Sequence, residues 1–75
     1  LIGITTSGNS DNVIKAVDIA EEMDIHTIVF VGKDGGKING KADITITIPS
    51  DDTQRIQEGH ILCGHILCEL VEQSL

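Results

Sequence analysis

This sequence predicts an α/β fold with a parallel sheet, and three observations carry the prediction. Short apolar runs and helix-spaced segments follow one another as strand, helix, strand, loop, strand, helix. Thr27-Ile28-Val29-Phe30-Val31 is a continuous, mostly β-branched run, as expected of a strand covered on both faces. The first apolar run ends in a Thr/Ser/Gly/Asn cluster that leads directly into a helix, the turn a right-handed parallel crossover requires. Three strands are too few for a complete doubly wound sheet, so residues 1–75 are expected to be one part of a single domain.

Leu1 to Ile4 reads as a buried parallel strand, with no initiator methionine and no polar lead-in before it, as in a piece of something longer. Ser10 is a good helix N-cap, Asp11 suits the positive end of the helix, and Val13, Ile14, Val17, Ala20 and Met23 recur at helical spacing. That helix is expected to run to about Met23. The second strand, Thr27 to Val31, stops at Gly32. The glycine-rich stretch Lys33 to Lys41 has room for a short helical turn at most. Asp43-Ile44-Thr45-Ile46-Thr47-Ile48 alternates with period two, which fits an edge strand with one buried and one wetter face. Pro49-Ser50-Asp51-Asp52-Thr53 is a turn and cap. The final helix carries a broad apolar face of Ile56, Leu62, Cys63, Ile66, Leu67, Leu70 and Val71, interrupted by Gln57, His60 and His65.

Composition narrows the function classes. A net charge of −7 with only five Lys and Arg argues against a nucleic-acid backbone or an anionic membrane as partner. No stretch approaches the roughly 20 apolar residues of a membrane span, and no signal-peptide pattern opens the chain, so a cytoplasmic location is expected. A chain this short hides only roughly 60 to 65 per cent of its unfolded surface. Its core stock is aliphatic, with Phe30 the one aromatic ring besides histidine. Cys63 and Cys68, five apart on one helix, point about 140° away from each other and are expected to be buried packing residues rather than a disulfide.

The segment with most chemistry is Gly3-Ile4-Thr5-Thr6-Ser7-Gly8-Asn9-Ser10. Thr5, Thr6, Ser7 and Ser10 offer hydroxyls, Gly8 lets the backbone approach, and the helix that follows presents free N–H groups at its positive end. The absence of lysine and arginine suits a phosphate monoester held by neutral donors better than a triphosphate. Neither the glycine spacing and Lys-Ser/Thr pair of a P-loop nor G-x-G-x-x-G is present. On residue chemistry alone an ordinary Ser-capped turn rich in small residues remains an equal reading. His65 likewise has two readings, a core or interface histidine with a satisfied hydrogen bond, or a group that exchanges protons near neutrality.

Gly3 through Val13 resembles the sugar-phosphate loop of the sugar isomerase (SIS) domain, in the form the phosphoheptose isomerase family carries. Gly32-Lys33-Asp34-Gly35-Gly36-Lys37, Ala42-Asp43-Ile44, Ile48-Pro49-Ser50 and Arg55-Ile56-Gln57-Glu58 through His65-Ile66-Leu67 resemble that family segment by segment. The resemblance implies a flavodoxin-like parallel sheet, of which this chain would be the C-terminal part. It implies part of an aldose–ketose isomerase that converts D-sedoheptulose 7-phosphate to D-glycero-D-manno-heptose 7-phosphate, a precursor of the lipopolysaccharide core, in a homotetramer that uses zinc. The isolated 75 residues are expected to be inactive, and to expose apolar strand edges.

In that resemblance Thr5, Thr6, Ser7 and Ser10 match substrate contacts, Gln57 matches a residue that binds substrate and metal, and His65 matches a metal ligand and acid/base. The remaining ligands, a His and a Glu, would lie outside these residues. Thr5 stands where serine is common, which keeps the hydroxyl, and Gln54 stands near a position where some members have aspartate. Gln57 and His65 are separated by about 80° and about 12 Å on a helix, so one ion held by both would need long reaches or ligands from a neighbouring subunit. A rival within the same family is a non-catalytic module that senses sugar phosphates or binds a replication-initiator protein. The relative of that kind resembles this helix without His65. A third reading is an interaction fragment in which the helix merely packs. His60 is assigned to packing or an oligomer contact, and His26, Lys33 and Lys37 to solvent.

Overall fold

A computed structural model describes all 75 residues. The elements are β1 (Ile2–Ile4), α1 (Asp11–Glu22), β2 (Ile28–Gly32), a 3-10 turn (Gly36–Ile38), β3 (Ile44–Ile48) and α2 (Thr53–Ser74). The strands form one parallel sheet in the order β1-β2-β3. The α/β class, the parallel sheet and the edge position of β3 are thus as the sequence predicts.

Register divides the side chains between two faces. Ile2, Ile28 and Ile44 lie in one row, Ile4, Phe30 and Ile46 in the next, and Gly32 and Ile48 in a third. Because side chains alternate along a strand, these share one face, and α2 lies on it with Ile56 over Gly32 and Gly59 over Ile48. Gly3, Val29, Val31, Thr45 and Thr47 form the other face. There Val29 and Val31 make a fully buried cluster with Val17 of α1 and Ile38 of the 3-10 turn. Reciprocal bonds tie the starts of β2 and β3: Thr27 N–H donates to Asp43 Oδ2 at 2.9 Å and Asp43 N–H donates to Thr27 Oγ1 at 3.0 Å.

Three expectations need correction. β1 is not buried, since Ile2 and Ile4 are 54% and 59% exposed. It pairs with β2 on one side only, and a parallel strand is sealed only when both edges and both faces have partners. The apolar stripe of α2 is largely open as well, with Ile56 buried but Leu62, Ile66, Leu70 and Val71 exposed. At 22 residues the helix is about 33 Å long. Strands of three to five residues reach about 10 to 17 Å, so the helix overhangs the sheet. For the same reason Cys68 is exposed and Cys63 only half-buried; both are free thiols, and neither is a core residue. No helix is long and apolar enough to cross a membrane.

Candidate functional site

The hydroxyl loop occupies the turn from β1 into α1. Thr5 N–H continues the sheet by donating to Phe30 O at 3.0 Å, and Thr6 O accepts from Gly32 N–H at 2.9 Å. Ser10 takes the N-cap position with extended backbone, yet its side chain caps no amide. Its Oγ lies 2.8 Å from Thr5 Oγ1, so the capping role read from the sequence is replaced by a hydroxyl pair. One proton of that pair is spent within it. Thr5 is only 4% exposed and Ser10 is half-buried, so the second proton is usable by a ligand when Thr5 donates to Ser10. Ser7 Oγ accepts from Asn9 N–H at 3.1 Å, which leaves its own proton to donate outward. The N–H groups of Thr6, Ser7, Ser10, Asp11, Asn12 and Val13 have no partner in the chain. Neutral donors converging at a helix start are what a phosphate monoester needs.

Gln57 and His65 are both exposed on α2 and share a face with Ile61 between them. They line a groove together with Gln54, Glu58 and Leu62, and also a depression of about 460 Å³ against Ile4, Phe30, His60 and Cys68. Ile4 immediately precedes Thr5, so this depression runs up to the base of the hydroxyl loop. His65 is exposed, so it is not a core residue of this chain. The loop itself lines none of these hollows, and the residues of the two halves of the expected site are not brought into contact.

His60 is buried, as the packing assignment expects, but it does more than fill space. Its Nε2 lies 2.7 Å from the carbonyl oxygen of Val31 and its ring stacks obliquely on Phe30 at 5.7 Å. A carbonyl can only accept, so Nε2 carries the hydrogen and donates, and Nδ1 is left buried without a partner. His26 is exposed beside Asp43, and Lys33 and Lys37 are exposed, in agreement with their solvent assignment. Nowhere do three His, Cys, Asp or Glu side chains come together in a group able to hold a metal ion. One imidazole and one glutamine amide fall short of a tetrahedral zinc site, so these residues do not by themselves fit zinc.

No protein-family model matches the chain. Its sequence is 55% identical over 74 residues, 99% of the chain, to a phosphoheptose isomerase of Leptospira biflexa. It is 56% identical over 75 residues to a phosphoheptose isomerase of Trichlorobacter lovleyi. This chain is similar along its whole length to part of a phosphoheptose isomerase. The structure agrees: phosphoheptose isomerase GmhA from Neisseria gonorrhoeae superposes with a TM-score of 0.90 at 49% identity over 95% of the chain. A phosphoheptose isomerase from Francisella tularensis gives 0.88 at 38% identity over 97%. The resemblance read from the loop and the final helix is therefore borne out for the chain and for its α/β fold. The chain spans 38% of the length of the two phosphoheptose isomerases matched by sequence and 41% of the two matched by structure.

Proposed function

We propose that this chain is one part of a single SIS domain and supplies the phosphate loop and an acid/base residue of a D-sedoheptulose 7-phosphate isomerase. The observation that carries the reading is the turn from Thr5 to Ser10: hydroxyl protons and unpartnered amides meet there without a cationic side chain, in a chain similar to phosphoheptose isomerases. Ser7, Ser10 and Thr6 donate to the phosphate. Thr5 supports them from beneath by holding Ser10.

Gln57 positions the sugar, and His65 moves a proton. In the ketose-to-aldose direction C1 loses a proton to a base while O2 gains one from an acid, giving a cis-enediol. The enediol takes a proton at C2 and loses the O1 proton, leaving the aldehyde at C1. Atoms and electrons balance without an outside oxidant. His65 is exposed on the depression that reaches the loop, with an imidazole suited to one of these transfers. The second acid/base group, and the further ligands zinc would need, come from outside these 75 residues. The product would feed heptose for the lipopolysaccharide core, in the cytoplasm. A homotetramer would cover apolar surface that this chain leaves open.

The test is a chimera in which this chain replaces the matching 74 residues of the Leptospira biflexa enzyme. The chimera is expected to turn over D-sedoheptulose 7-phosphate. Gln57→Ala is expected to raise KM, and His65→Ala to lower kcat by about 100-fold or more, within the usual reach of general acid/base catalysis. With both side chains exposed, neither change should move thermal unfolding by more than about 0.5 kcal/mol. Full turnover by the His65→Ala chimera would remove the catalytic assignment. A folded chimera with no turnover would favour the non-catalytic module.

A further inference from the structure

The hydroxyl loop lies against the glycine-rich turn that follows β2. Gly32 N–H donates to Thr6 O at 2.9 Å and Ile38 N–H to Gly8 O at 3.0 Å. Gly8 and Gly36 both have positive φ, +74° and +62°. A Cβ on Gly8 would lie 1.9 Å from Gly35 O, and one on Gly36 would lie 2.3 Å from Ser7 O. The two backbones therefore touch, with space for no side chain between them at these points.

One side chain forms a hydrogen bond across this seam. Asn9 Oδ1 accepts from Lys37 N–H at 2.9 Å, a link between residues 28 apart in sequence. The backbone N–H of Asn9 donates to Ser7 Oγ at 3.1 Å. Asn9 thus ties the hydroxyl that donates outward to an anchor in the other loop. It is exposed, so its removal opens no cavity in the core.

We infer that Asn9 is a positioning residue of the phosphate loop. Docked on the Lys37 amide, it sets the direction of the Ser7 hydroxyl and keeps the loop shaped to receive a phosphate. The inference rests on the phosphate-loop reading above and concerns a residue that reading leaves without a role. Removal of the Asn9 acceptor frees the Lys37 amide and lets the turn rotate, which weakens phosphate binding without touching the proton-transfer step.

The experiment uses the chimera described above, with D-sedoheptulose 7-phosphate as probe and four variants, Asn9→Ala, Asn9→Asp, Ser7→Ala and Ser10→Ala. Asn9→Ala is expected to raise KM at least tenfold with kcat within threefold of the unsubstituted chimera, and to speed hydrogen exchange at the Lys37 amide. Asn9→Asp keeps an acceptor for Lys37 N–H and should restore both its slow exchange and part of the KM. A merely structural role would lower the unfolding temperature and leave KM alone at temperatures where the protein is folded. KM within twofold for Asn9→Ala, alongside a clear rise for Ser7→Ala or Ser10→Ala, overturns the inference and spares the phosphate loop. Unchanged KM in all four variants overturns both.

Discussion

His60 fastens the final helix to the central strand through one bond: its Nε2 donates to the carbonyl oxygen of Val31 at 2.7 Å, between residues 29 apart in sequence. The bond lies beside the ring contact with Phe30 and one turn of helix from buried Ile56. Gln57 and His65 ride on the same helix, so their height above the sheet depends on this attachment. Replacement of His60 by Ala is expected to cost about 2 to 4 kcal/mol, from the lost buried hydrogen bond and the space the ring leaves. Urea denaturation of the chimera checks this, and a loss under about 0.5 kcal/mol, the range of ordinary surface changes, would show that the attachment carries little.

Ile56 of α2 packs directly over Gly32 at the end of β2. A Cβ there would lie 2.5, 2.6 and 2.8 Å from three side-chain atoms of Ile56, itself fully buried. Gly32→Ala is expected to destabilise by about 1 to 3 kcal/mol through overpacking. Ile56→Val in the same protein should recover part of that loss, because it removes one of the crowded methyl groups. A double-mutant cycle reads the coupling directly, and strict additivity would mean the two residues do not compete for the space.

Gly8 joins two constraints, a left-handed backbone and a carbonyl oxygen where a side chain would go. The obstructing atom belongs to the Gly35 backbone and cannot rotate aside. Gly8→Ala is therefore expected to part the two loops, at about 3 kcal/mol or more of combined strain and overlap. Loss of slow exchange at the Ile38 amide, which donates to Gly8 O, is the local readout. Retained protection there, with unchanged phosphate affinity, would show that the seam tolerates a side chain.

Ile2, Ile4 and Ile44 on the sheet, with Ile61, Leu62, Ile66, Leu70 and Val71 on α2, leave a broad apolar surface uncovered. Surfaces of this kind drive association when no partner covers them. The isolated 75 residues are expected to show a scattering mass that rises with concentration and to lack isomerase activity, whereas Leu70→Lys with Ile66→Lys should reduce the association. A compact monomer at all concentrations, or turnover by the isolated chain, would contradict this.

Local patterning was enough to determine the elements of this protein and the hydroxyl-rich make-up of its first loop. The continuous run ending at Val31 marked a covered strand, the period-two run from Ile44 an edge strand, and the cluster from Pro49 to Thr53 a turn and cap, within which Asp52 accepts from Gln54 N–H at 3.0 Å. Those signals are local because backbone geometry repeats every two or 3.6 residues. The resemblance of the loop and final helix to phosphoheptose isomerases was legible for a similar reason, since it rests on runs of adjacent residues. What only the tertiary structure decided is which surfaces meet. The apolar stripe of α2 looked like a core face and is mostly open, because its length exceeds the sheet beneath it. Ser10 had the chemistry of a cap, and its hydroxyl pairs with that of Thr5 instead. His60 looked like one more polar interruption and is the bond that seats the helix. Asn9 read only as a turn residue, because its partner, the Lys37 amide, is a backbone group 28 residues away. Residue type and spacing encode no such pairing; it exists only once the two loops have been folded against each other.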